Sequence, residues 1–184
     1  SYDEINDVSY GDTVSFKVQK GSEAAGTVSV KIKVINSAGE KEEVLTPNED
    51  GVYSFELKGE TEIIVTGLTY RIYNVTLDIA DMEYAYDWAK PYKNIEDVQF
   101  EVTEEGKDAV TADLKIENGK VAFTWTKGKY SVRAFVEENG AKRYISDTVT
   151  RTVDSFAADK DGNVTFDREL ALVTPVDLQW NDTA

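Results

Sequence analysis

The chain has 184 residues, 41% of them hydrophobic and 11% aromatic, a globular composition sufficient for one large domain or two small ones. Its formal charge of −15, from 35 acids against 20 bases, repels phosphate backbones and anionic lipid, which argues against nucleic-acid and membrane-surface partners. It has no histidine and no cysteine, which excludes disulfides, thiolate chemistry, serine triads built on histidine and histidine-ligated zinc.

Apolar residues alternate with polar ones almost everywhere, the period of half-buried strands. TVSFKVQ places Val14, Phe16 and Val18 on one face, and TVSVKIKVIN does the same with Val28, Val30, Ile32 and Val34. GVYSFELK, TEIIVTG and LTYRIYNVTLDI continue the pattern. Turn chemistry separates them: SAGE at 37–40, NEDG at 48–51 and KGET at 58–61. Short strands at this spacing predict an all-β sandwich over residues 1–80.

The next stretch, EYAYDWAKPYKN at 83–94, breaks the pattern. Pro91 lacks an N–H and biases Lys90 toward extended geometry, which suits a connector over 81–93. Strands then resume with VQFEVTEE, AVTADLKIENG, KVAFTWTKG, KYSVRAFVEENG, RYISDTVTRTV, GNVTFD and ELALVTPVDLQW. Asn118-Gly119, Asn139-Gly140 and Asp161-Gly162 are hairpin signals, because Asn, Asp and Gly tolerate positive φ. Residues 94–184 therefore read as a second sandwich, and the chain as two tandem antiparallel β-sandwich domains. No run approaches the ~18 apolar residues of a membrane span. No basic-then-apolar leader opens the chain, so the expectation is a cytosolic protein or a mature or excised segment.

YGDTVSFKV, LTPNEDGVYSFEL and TEIIVTGL resemble the Ig-like modules of bacterial secreted and surface proteins. VQFEVTEEGKDAV and NGKVAFTWTKGKYSVRAFV resemble the prealbumin-like modules of Gram-positive adhesins and carboxypeptidase regulatory domains. The resemblance implies an extracellular or cell-surface location, a spacer, adhesive or ligand-binding role, neighbouring domains in a larger protein, and no catalysis. Some such adhesin modules carry a Lys–Asn isopeptide bond with the lysine on the first strand. VQFEVTEE offers no lysine, whereas in the first half Lys17 and Asn74 occupy expected first and last strands, with Lys17 on the polar side.

Three constellations are candidate sites. In extended geometry Tyr84, Tyr86 and Trp88 share a face, with rings ~6.5–7 Å apart. With Tyr92 they form a row on which the C–H faces of a polysaccharide or host glycan can stack, while Asp87 and Lys90 hydrogen-bond hydroxyls. The competing reading makes the same rings a joint between the two sandwiches. DKDGNVTFDREL at 159–170 has part of a calcium-loop pattern: Asp159 and Asp161 fit, but Ala157 and Arg168 stand where end ligands belong. A hairpin with acidic decoration is the favoured reading, with a single calcium on Asp159, Asp161 and a carbonyl as the alternative; no other cofactor is expected. Asn-X-Thr at 74, 163 and 181 matches the glycosylation pattern and reads as accidental. Glu42-Glu43, Glu104-Glu105 and Glu137-Glu138 read as solvated turn edges rather than as a glycosidase pair. Trp125 shares a face with Val121 and Phe123 and is expected in a core, and Trp180 is expected to cap the last strand.

The expected function is a non-catalytic module for carbohydrate or host recognition or adhesion. The alternatives are a purely structural spacer, or a filament subunit in which SYDEINDVSY pairs with a neighbour's sheet edge.

Overall fold

The computed structural model describes residues 8–81 and 90–176. The chain divides into two compact units, 1–71 and 72–184. Both are built of β-strands, as the alternation predicts; the helical content of the described residues is one short 3-10 turn, Ile95–Asp97.

The first unit carries β1 (Thr13–Lys17), β2 (Ala24–Ala25), β3 (Ser29–Asn36), β4 (Gly39–Leu45), β5 (Val52–Glu56), β6 (Glu60–Thr66) and β7 (Thr69–Tyr70). β3 is central in the sheet β4-β3-β6, and β1 pairs with β5. The predicted inward face of β3 is the buried one: Val30 and Ile32 join Leu45 and Tyr53 in a small core, with Phe16, Val34, Phe55 and Ile63 packed on it. Asn48 closes the turn into β5, its Oδ1 accepting the N–H groups of Asp50 (3.0 Å) and Val52 (2.9 Å). Glu42 and Glu43, expected at a turn edge, instead lie in the exposed edge strand β4, opposite Lys33 and Ile32. There Lys33 pairs with Glu40 at 2.9 Å, and a charged edge of this kind discourages pairing with other chains.

The second unit contains β8 (Tyr73–Asp78), β9 (Gln99–Glu104), β10 (Val110–Ala112), β11 (Lys120–Trp125), β12 (Gly128–Glu138), β13 (Ala141–Tyr144), β14 (Val149–Val153) and β15 (Asn163–Thr165). One sheet runs β10-β9-β12, and the long β12 continues against β13 at one end and β14 at the other. The opposing sheet runs β11-β8-β15. Tyr73, Val75, Leu77, Val121 and Phe123 from this sheet meet Phe100, Val102, Val132, Ala134 and Val149 from the other in one core. The Asn-Gly hairpins form as predicted, with φ of 52° at Asn118 and 54° at Asn139.

Two expectations change. The stretch LTYRIYNVTLDI is two strands rather than one. Thr69–Tyr70 pairs with Ala24–Ala25, whereas Tyr73–Asp78 pairs with β11 and supplies three buried side chains to the second core. The division expected after residue 80 therefore falls at Arg71/Ile72. Alternation continues through both strands, so hydrophobic pattern alone carries no trace of the break. Second, Asp161-Gly162 turns the chain, but no hairpin follows. β15 runs parallel to β8, with Asn163, Val164 and Thr165 opposite Asn74, Val75 and Thr76. The unit division also separates Lys17 from Asn74, so they are not the first and last strands of one sandwich. Asn74 Nδ2 donates to Asn163 Oδ1 at 3.4 Å.

Candidate functional site

The most developed polar cluster lies on the face of the β10-β9-β12-β13 sheet that points away from the core. On β12, Tyr130, Val132, Ala134 and Val136 go to the core, which turns Arg133 and Phe135 outward. The register sets Arg133 opposite Glu101 on β9 and Tyr144 of β13 opposite Phe135. Glu101 is 6% exposed although it sits on an outer face, because its neighbours fold over it.

Each carboxylate oxygen has charged donors. Arg133 reaches Oε1 through Nε at 2.8 Å and Nη2 at 2.6 Å. Lys142 Nζ donates to Oε2 at 2.8 Å, and the Tyr144 hydroxyl donates to the same oxygen at 3.1 Å. The Lys142 bond, then those from Arg133 and Tyr144, outweigh the burial that opposes ionisation and hold the Glu101 carboxyl at about 2, below its ordinary 4.5. The Arg133 guanidinium also lies 3.5 Å from the centre of the Tyr144 ring, and Lys142 Nζ lies 4.5 Å from that of Phe135. This carboxylate is a poor general base near neutral pH: its lone pairs are taken by its own donors, and the interactions that favour its charged form make it a weak proton acceptor. It ties β9, β12 and β13 together.

Sequence reading did not single out Glu101, Arg133, Lys142 or Tyr144. The alternation in VQFEVTEE and KYSVRAFV does place Glu101 and Arg133 on polar faces. What unites them is strand register, which no local pattern encodes.

Of the predicted glycan row, Tyr84, Tyr86, Asp87 and Trp88 lie outside the described residues. Lys90 is exposed and Tyr92 is half-buried against the second core. Their backbone is pinned to the C-terminal segment: Tyr92 N–H donates to Leu172 O at 3.0 Å, and Thr174 N–H donates to Lys90 O at 2.7 Å. Tyr92 borders an open depression of about 600 Å3 floored by Val98, Leu114 and Val136 and rimmed by Glu96, Asp113 and Glu137. It also borders a smaller one of about 270 Å3 lined by Ile79, Pro91, Ile95 and Leu172.

Asp159 organises its own loop. Its Oδ1 accepts the N–H groups of Asp161 and Asn163, each at 2.9 Å, and Asn163 Nδ2 donates to Oδ2 at 3.0 Å. These bonds, with the Asn163 backbone N–H first, hold its carboxyl below the usual range. The Asp161 carboxylate points to Lys160 at 4.0 Å. Among the described residues, no three acidic side chains converge as a metal cage would require.

Trp125 sits where the alternation places it. Its ring stacks between those of Phe123, at 4.4 Å, and Tyr130, at 4.1 Å. Trp180 and Asn181 lie outside the described residues.

No helix among the described residues is long and apolar enough to cross a membrane. No protein-family model matches the chain, and no curated protein does. Among solved structures, the chain is similar to the pilus adhesin SpaC from Lactobacillus rhamnosus GG, at 12% identity and a TM-score of 0.30. The match covers 90% of this chain and 25% of the adhesin's, and a likeness this distant carries no argument about function.

Proposed function

We propose that the chain is a non-catalytic, extracellular module of a bacterial surface or secreted protein, and that its role is structural: to space and display what it is joined to. The observation that carries this reading is the Glu101 cluster. Among the described residues, this ionic group has both oxygens of its buried carboxylate bonded to side chains of the neighbouring strands, as a strut requires and a reaction centre does not. Several aromatic rings are also used internally: Trp125 stacks on Tyr130 against the second core, and Phe16 stacks on Tyr53 against the first. The absence of histidine and cysteine from the sequence fits the same reading. The resemblance of both halves to bacterial surface modules supports the location.

A second reading, glycan recognition, is favoured by one observation: Tyr92, the described ring of the predicted row, borders an open, acid-rimmed depression. A glycan array probed with the wild-type chain and with Trp88→Ala and Tyr92→Ala decides between them. The structural reading expects no binding above background by any of the three. Binding by wild type that both substitutions abolish would replace it with recognition.

A further inference from the structure

The strand order of the second unit has a mechanical consequence. β8 opens the unit and β15 is the last strand among its described residues, and they are parallel neighbours. The pairing extends beyond β15. Asn74 N–H donates to Gly162 O at 3.1 Å, Phe166 N–H to Thr76 O at 3.0 Å, Leu170 N–H to Asp78 O at 2.8 Å and Ala80 N–H to Leu170 O at 3.0 Å. Residues 162–170 thus run alongside 74–80 in one direction. When two neighbouring strands are parallel, their outer ends lie at opposite ends of the ladder. Tension that enters before β8 and leaves after residue 170 slides one strand along the other. All the bonds are then loaded together, and none can open without its neighbours. An antiparallel pair loaded at its two outer ends would open one bond at a time.

The surrounding structure supports the ladder. β8 is held on its other edge by β11 over six paired positions, from Tyr73 opposite Trp125 to Asp78 opposite Lys120. Val75, Leu77, Val164 and Leu170 are all at most 1% exposed, so sliding the strands would also drag buried side chains through the core. Beyond the ladder, Val173 N–H donates at 2.8 Å to the carbonyl of Ile145, the residue that follows β13, which holds the segment after the ladder in place.

We propose that the β8–β15 ladder is a force-bearing clamp, so that the second unit resists tension applied along the chain. The proposal rests on the structural role given above and adds what load the module carries and where.

Because the sequence has no cysteine, pairs of introduced cysteines give unique attachment points for single-molecule pulling. Ile72→Cys with Val176→Cys pulls the ladder in shear, and Ile72→Cys with Lys160→Cys pulls β8 and β15 from the same end and unzips them. These sites are 65% and 79% exposed at Ile72 and Val176, and the Lys160 side chain is 89% exposed, so folding survives the substitutions. The expected result is a rupture force several-fold higher in shear than in unzipping, with the two variants sharing one denaturant midpoint. Equal rupture forces in the two geometries would overturn the clamp. That failure differs from failure of the structural role, which glycan binding would reveal whatever the two forces are.

Discussion

Glu101 and Arg133 face each other across β9 and β12, and the guanidinium holds one carboxylate oxygen through two nitrogens, at 2.8 and 2.6 Å. Two bonds from one planar group fix orientation as well as distance. Because Glu101 is almost wholly shielded, an amide in its place leaves Arg133 and Lys142 without their counter-charge and turns one of the two acceptor oxygens into a donor. We expect Glu101→Gln to cost about 2 kcal/mol, below the full value for a buried pair because both cations are more than a third exposed. Arg133→Lys should lose part of that, since an ammonium cannot reproduce the fork. Urea denaturation of the three proteins checks the order wild type, Arg133→Lys, Glu101→Gln.

The same carboxyl gives the second unit a defined acid response. Its value in the folded state, about 2, lies below its ordinary 4.5. A lowered value means that the charged form is favoured by folding. The stabilisation is therefore fully present above 4.5, declines as pH falls from there, and is gone below about 2. Its size is on the order of 2 kcal/mol after allowing for solvent around the partner cations. Melting temperature followed from neutral to acid pH should fall less steeply for Glu101→Gln than for wild type across that window. Parallel slopes would remove Glu101 from the account.

Gly67 is held by its surroundings. Its φ is 81°, and a Cβ added there would collide with the carbonyl oxygen of Thr27, a backbone atom that cannot turn aside. Gly26, at φ 87°, would likewise strike the carbonyl of Gly67. Gly67→Ala should destabilise the first unit by about 2 kcal/mol or more, whereas Gly39→Ala, with a positive φ but open space around it, should cost about 1 kcal/mol. Urea midpoints of the two variants check the difference.

Asp154 shapes the loop that follows β14. Its Oδ1 accepts the N–H groups of Phe156 at 2.9 Å and Ala157 at 2.8 Å, and the turn so formed leaves Phe156 95% exposed. Asp154→Ala should lose about 1 kcal/mol, as a lost helix cap does. Phe156→Ser should leave the melting temperature unchanged, since the ring touches little.

How far the sequence foretold this molecule depends on which interaction is asked about. β3, β5, β11 and β12 and the two Asn-Gly turns follow from alternation and local backbone preference, which are carried by adjacent residues. The division at Arg71/Ile72 does not, because Tyr70 and Tyr73 belong to strands with the same alternating pattern and differ only in which distant strand they meet. The parallel placement of β15 was hidden for the same reason, and Asp161-Gly162 indicates a turn without naming the partner beyond it. Glu101 showed the same limit. Its residue type and face were readable, but its three donors come from 32, 41 and 43 residues away. The aromatic row was readable as a composition, and of it the structure describes Tyr92 alone.

The display role stands on each unit folding around its own core, Val30, Ile32, Leu45 and Tyr53 in one and the larger group around Leu77 and Phe100 in the other. Residue-resolved NMR through a urea titration tests this most directly. The account predicts two midpoints, the lower one shared by β3 and β6 and the higher one by β8, β9 and β12. Val30→Ala should move only the lower and Leu77→Ala only the higher, the latter by about 3 kcal/mol. A single midpoint common to all strands and moved by both substitutions would contradict it.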